Sequence, residues 1–69
     1  MRIKDNTSVT GNYMGKSVSG VVMESRVKYG GDLQYTVKLN SPINFRWREE
    51  PVFTVLLNSN EISAVMVNL

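Results

Sequence analysis

The sequence predicts a small all-β barrel of about five strands, and three observations carry that expectation. The first is residue choice: ten valines stand against a single alanine, Ala64. Valine's branched β-carbon restricts its side chain in a helix and packs well on a pleated surface, whereas alanine is the best helix former. The second is period, because apolar residues recur at every second position through much of the chain, the spacing of a half-buried strand. The third is punctuation: seven asparagines, seven serines and five glycines supply turns at short intervals. The 69 residues leave room for one domain, residues 1–69, and not for two full sheets. A barrel is the economical answer, and closure removes the sheet edges that recruit other chains.

Residues 1–16 are the least regular part of the chain. Ile3 and Val9 are separated by the polar run Lys4-Asp5-Asn6-Thr7-Ser8. A short first strand is expected near Arg2 to Lys4 or around Val9, followed by a loop rich in turn formers. The barrel core is expected over 17–67. From Ser17 to Tyr29, Val21, Met23, Val27 and Tyr29 recur at a spacing of two and are expected on the core face, with Glu24, Arg26 and Lys28 opposite. Gly20 interrupts this strand and implies a bend, a bulge or a close backbone contact. Gly30-Gly31-Asp32 makes a hairpin turn. On the return strand Leu33, Tyr35, Val37 and Leu39 alternate with Gln34, Thr36 and Lys38 without a fault. Asn40-Ser41-Pro42 is expected to end it, since proline cannot donate to a ladder. Phe45-Arg46-Trp47-Arg48 alternates aromatic and cationic residues before Glu49-Glu50-Pro51 turns the chain. The apolar run 52–57 suits either face. Asn58-Ser59-Asn60 reads as a turn, or a single tight helical turn started by an asparagine or serine side chain, and 62–67 as the last strand.

The stretch Gly15-Lys16-Ser17-Val18-Ser19-Gly20-Val21-Val22, the long hairpin after it, Tyr35-Thr36-Val37-Lys38-Leu39 and Asn60-Glu61-Ile62-Ser63-Ala64-Val65 together resemble the layout of SH3-like small barrels. That group includes KOW and Tudor-type domains. The resemblance covers residues 15–67 and implies a five-stranded SH3-like barrel with a short helical turn before its last strand. The proline-groove aromatic set of signalling SH3 domains and a Tudor aromatic cage are not recognisable, so no functional residue is carried over.

Composition narrows the function classes. Cysteine and histidine are both absent, which removes disulfides and the common zinc sites. The longest strongly apolar stretch is six residues, far short of the ~20 that a helical membrane span needs. No apolar run near Met1 suits a signal peptide, and a soluble cytoplasmic protein is the expectation. Met1 and the short length fit a complete small open reading frame of viral (phage) or bacterial type. Catalysis has little to work with: Glu49-Glu50 is the one adjacent carboxylate pair, and neighbours in an extended chain point apart rather than flanking one bond. Neither a calcium loop nor a phosphate loop is present. The expectation is a non-enzymatic binding module with no cofactor and no metal.

Two partners remain in view, and a structural subunit of a larger assembly is a third possibility. A protein-interaction adaptor or regulator is favoured, because a net charge of +2 is weak for a phosphate binder. A homodimer enters here, since the apolar end Val65-Met66-Val67-Asn68-Leu69 is either a closing strand or an exposed edge that pairs with a second copy. The alternative is RNA or single-stranded DNA on a basic strand face made of Arg26, Lys28, Lys38, Arg46 and Arg48, with Trp47 and Tyr29 as stacking platforms. That stripe requires the Phe45–Trp47 segment to pair beside Lys38. Against it, alternating charges equally mark a solvated sheet face, the two aromatics equally suit a core, and Glu24, Glu49 and Glu50 dilute the field.

Overall fold

A computed structural model of the chain describes residues 3–66. Strands β1 (Ser8–Tyr13), β2 (Lys16–Val27), β3 (Leu33–Ile43) and β4 (Val52–Asn58) form an antiparallel meander. A single 3-10 turn, Ser59–Glu61, then leads into β5 (Ile62–Met66), which returns to pair with β1. The order in the sheet is β4-β3-β2-β1-β5. β4 and β5 are its two edges, and the sheet curls until β1 touches β4 across the interior. The first strand lies around Val9, not at Arg2 to Lys4; Arg2 is outside the described residues.

The core is Val9, Val18, Val22, Tyr35, Val37, Leu39, Phe45, Val52, Val55 and Leu57. On β3 the inward residues are Tyr35, Val37 and Leu39, as the alternation requires. On β2 the expected face is corrected. Val18, Gly20 and Val22 point inward, while Met23, Val27 and Tyr29 are exposed. The ladder with β3 shifts between Val22 and Glu24, so Met23 is an extra residue, and one extra residue reverses which side chains face the core. Gly20 is explained by close approach: a Cβ there would press on the Lys38 carbonyl oxygen and lie 2.8 Å from Val37 Cγ1.

β3 also runs further than expected, rejoining β4 at Ile43 and Val52 beyond a break in register. Pro42 nonetheless limits it. Val22 exchanges hydrogen bonds with the chain leading into β1, donating to the Thr7 carbonyl at 2.9 Å and accepting from Asn6 N–H at 2.6 Å. Alternation therefore turns the backbone groups of Ser17 towards β3. The β2–β3 ladder ends at Gly20 and Leu39. In the same register Ser17 would face Pro42, which has no N–H to give. The strands part there around a crevice of about 270 Å³ lined by Ser17, Val18, Ser19, Ser41, Pro42 and Ile43.

Both ends of the hairpins follow local chemistry. Gly30 and Gly31 take φ of 104° and 95°, a conformation that costs glycine nothing, and Lys28 N–H closes the turn on the Asp32 carbonyl at 2.6 Å. The 3-10 turn forms where the asparagine and serine run predicts one, and Glu61 Oε1 accepts from Asn58 N–H at 2.8 Å.

Candidate functional site

One end of the sheet gathers aromatic and cationic side chains. The hairpin between β1 and β2 turns on two residues, Met14 (φ 50°) and Gly15 (φ 82°), the pair of left-handed conformations that a tight hairpin with matched twist requires. This turn sets Tyr13 and Lys16 side by side. The connection over residues 44–51 comes to the same end. Phe45 drops into the core, and Arg48 N–H returns to the Phe45 carbonyl at 3.2 Å. That reversal lays the Trp47 ring on Phe45, with centroids 4.6 Å apart and planes 25° from parallel. Tyr13 meets Phe45 edge-on at 6.1 Å. The Lys16 ammonium stands 5.9 Å from the Phe45 centroid, within reach of a cation–π contact.

The result is a supported, accessible indole. Phe45 is 6% exposed and Trp47 is 66% exposed, so a buried ring anchors one that faces solvent. Arg46 and Arg48 flank Trp47 and are exposed, as are Glu49 and Glu50 after them. The side chains of these four have no hydrogen-bond or ion-pair partner among the described residues. Met14 is 64% exposed and sits in a left-handed conformation that a side chain such as methionine adopts at a cost.

The six residues of the postulated basic face are placed as follows. Arg46, Trp47 and Arg48 come together in this cluster. Lys38 lies on the outer face of the sheet, between Val21 on β2 and Thr54 on β4. The neighbour of Lys38 is thus β4 and not the Phe45–Trp47 segment, which is a turn rather than a strand. Arg26 Nε donates to Gln34 Oε1 at 3.0 Å, and Lys28 Nζ donates to Asn58 Oδ1 at 3.1 Å. These two lie near the other end of the sheet, some ten residues along β2 from Lys16, roughly 30 Å of strand. Tyr29 is fully exposed beside them. A continuous stripe of five cations does not form. Tyr13 and Lys16 are members of the cluster without a signal of their own in the sequence beyond the compact Tyr-Met-Gly-Lys hairpin, and Met14, which the sequence suits to a core as readily as to a binding surface, is exposed in the turn between them.

Among the described residues no group of acidic side chains is arranged to hold a metal ion. No helix there is long and apolar enough to cross a membrane. Comparison of the chain with protein-family models, with curated proteins and with solved structures finds no match.

Proposed function

We propose that this chain is a non-catalytic protein-binding module of SH3-like type whose anchor is Trp47. The fold reading is supported by the strand order and by the 3-10 turn that precedes β5. The single observation that carries the function is the exposed indole held on a buried phenylalanine. Tryptophan and arginine are the residue types on which protein interfaces concentrate their affinity. A rigid ring loses little entropy when a partner covers it, and Arg46 and Arg48 supply a polar rim. The accessible Met14, in the turn between Tyr13 and Lys16, adapts to irregular apolar shapes.

Nucleic acid is the weaker reading because its cations are dispersed. Arg26 and Lys28 are engaged with amides at one end, Arg46 and Arg48 stand at the other, and Glu49 and Glu50 adjoin them. The test compares the full chain with Trp47→Ala and with the double variant Arg46→Ala/Arg48→Ala, against a partner captured by the wild type and then purified. Trp47→Ala should weaken binding about 30-fold, the equivalent of a hot spot of about 2 kcal/mol. The double arginine variant should act mainly on the salt dependence of association. A parallel titration with mixed RNA and DNA oligonucleotides at about 50 mM salt should show no binding under conditions that favour phosphate contacts. Tight oligonucleotide binding that vanishes in the double arginine variant would overturn the protein-binding reading.

A further inference from the structure

The outer face of β2, β3 and β4 carries a second surface, separate from the Trp47 cluster. The registers order it in cross-strand rows: Thr54, Lys38 and Val21 in one, Leu56, Thr36 and Glu24 in the next, Asn58, Gln34 and Arg26 in the third. A solvated face of an antiparallel sheet is ordinarily polar. Here Leu56 is 47% exposed, and Met23, thrown out by the bulge beside Glu24, is 49% exposed. Two large apolar side chains thus share the region with a small set of charges.

Those charges are arranged to complement themselves. Lys38 and Glu24 are exposed, and the side chain of neither has a hydrogen-bond or ion-pair partner among the described residues. They are diagonal neighbours on adjacent strands, about 7–8 Å apart at the backbone. The remaining charge on these rows, Arg26, is directed at Gln34 within its own sheet. A two-fold axis lying in the plane of an interface and crossing midway between Lys38 and Glu24 sets each lysine against the glutamate of the other copy. One operation makes both ion pairs. Any partner other than a second copy would have to reproduce this diagonal with opposite signs; a second copy does so by symmetry.

We infer that the β2–β3–β4 face docks a second copy of this chain, with Leu56 and Met23 as the apolar contact and Lys38–Glu24 pairs fixing the orientation. The size of the patch sets the strength. Three strands spaced about 4.8 Å apart make a footprint at the small end of specific interfaces. The dimer is therefore weak, in the micromolar range, and is seen as a concentration-dependent mass. It also suits a chain of 69 residues with no cysteine or histidine to staple it.

The experiment is sedimentation equilibrium on the full chain from about 1 μM to about 1 mM, spanning the expected range of dissociation constants. Lys38→Glu alone sets glutamate against glutamate at both contacts, and Glu24→Lys alone sets lysine against lysine. Each should weaken the dimer by roughly tenfold or more. Mixed together, the two variants form a heterodimer in which both contacts are oppositely charged, so the mixture should associate more tightly than either alone. Leu56→Ser should weaken association without depending on salt. All four positions of interest are exposed, and circular dichroism and thermal midpoint check that each variant keeps the fold. A wild-type monomer over the whole range overturns the proposal, and so does a mixture that associates no better than its components. Trp47→Ala should leave the mass unchanged, which keeps the outcome independent of the Trp47 reading.

Discussion

Tyr35 shows how a single residue ties the chain to its core. Its ring is 1% exposed, and its hydroxyl oxygen accepts a hydrogen bond from Ile3 N–H at 3.1 Å. The one polar atom of the largest core side chain is thus satisfied, as buried polar groups must be, and the start of the described chain is fastened over the sheet. Two positions on, Val37 is wholly buried between β2 and β4, while Thr36 between them faces outward opposite Glu24 and Leu56. Introducing the same lysine at each site measures that difference. Val37→Lys strands a charge in the core and should prevent folding, since the penalty exceeds the roughly 3–5 kcal/mol that a core of this size supplies. Thr36→Lys should fold, with its ammonium beside the Glu24 carboxylate. Equal denaturant midpoints for the two variants would contradict the register of β3. This register was legible in the sequence, because the alternation from Leu33 to Leu39 is unbroken and both phases carry consistent residue types.

At the scale of elements, the sequence misleads wherever one residue breaks the period. Val21, Met23, Val27 and Tyr29 keep a spacing of two, yet the bulge at Met23 puts Val21 and Met23 off the core face. Nothing in the composition of 17–29 marks the bulge, since serine and valine are acceptable on both faces. The Phe45–Arg48 segment misleads differently: four alternating residues imitate a strand, but the Arg48-to-Phe45 hydrogen bond makes them a turn. The Trp47 cluster was therefore visible in part, as an aromatic among arginines, while its support by Tyr13 and Lys16 depended on a pairing that only the fold supplies. The β1–β2 hairpin yields a prediction of its own. Met14 occupies a left-handed position that asparagine tolerates far better, and Asn-Gly is the preferred pair for such a turn. Met14→Asn should raise stability by about 0.5–1 kcal/mol, read as a higher thermal midpoint. If Met14 also contacts the partner of Trp47, the same variant should bind it more weakly, an exchange of stability for function. A lowered midpoint would show that the methionine side chain stabilises the fold.

For the whole molecule, the order β4-β3-β2-β1-β5 decides where stability resides. β2 and β3 lie inside the sheet and supply Val22 and Val37, both fully buried. β5 is an edge, paired on one side only, and its residues beyond Ile62 are all exposed, Val65 at 45% and Met66 at 57%. Val65 faces Val9 in the ladder, so it points towards the core side but reaches past the end of the packed interior. Local opening is cheapest where few apolar contacts and many solvent-facing backbone bonds coincide. Native-state hydrogen exchange should accordingly rank the amides. Those of Val22 and Val37 should exchange only through global unfolding, with free energies that follow denaturant as the whole protein does. Those of β5 should exchange through a local opening that denaturant barely affects. A dimer formed through the outer face of β2–β4 should slow the amides of β4, whose outward face it covers, as protein concentration rises, and leave β5 unchanged. Protection of β5 equal to that of Val37, or a concentration effect confined to β5, would place the cooperative core and the second copy at the opposite edge of the sheet.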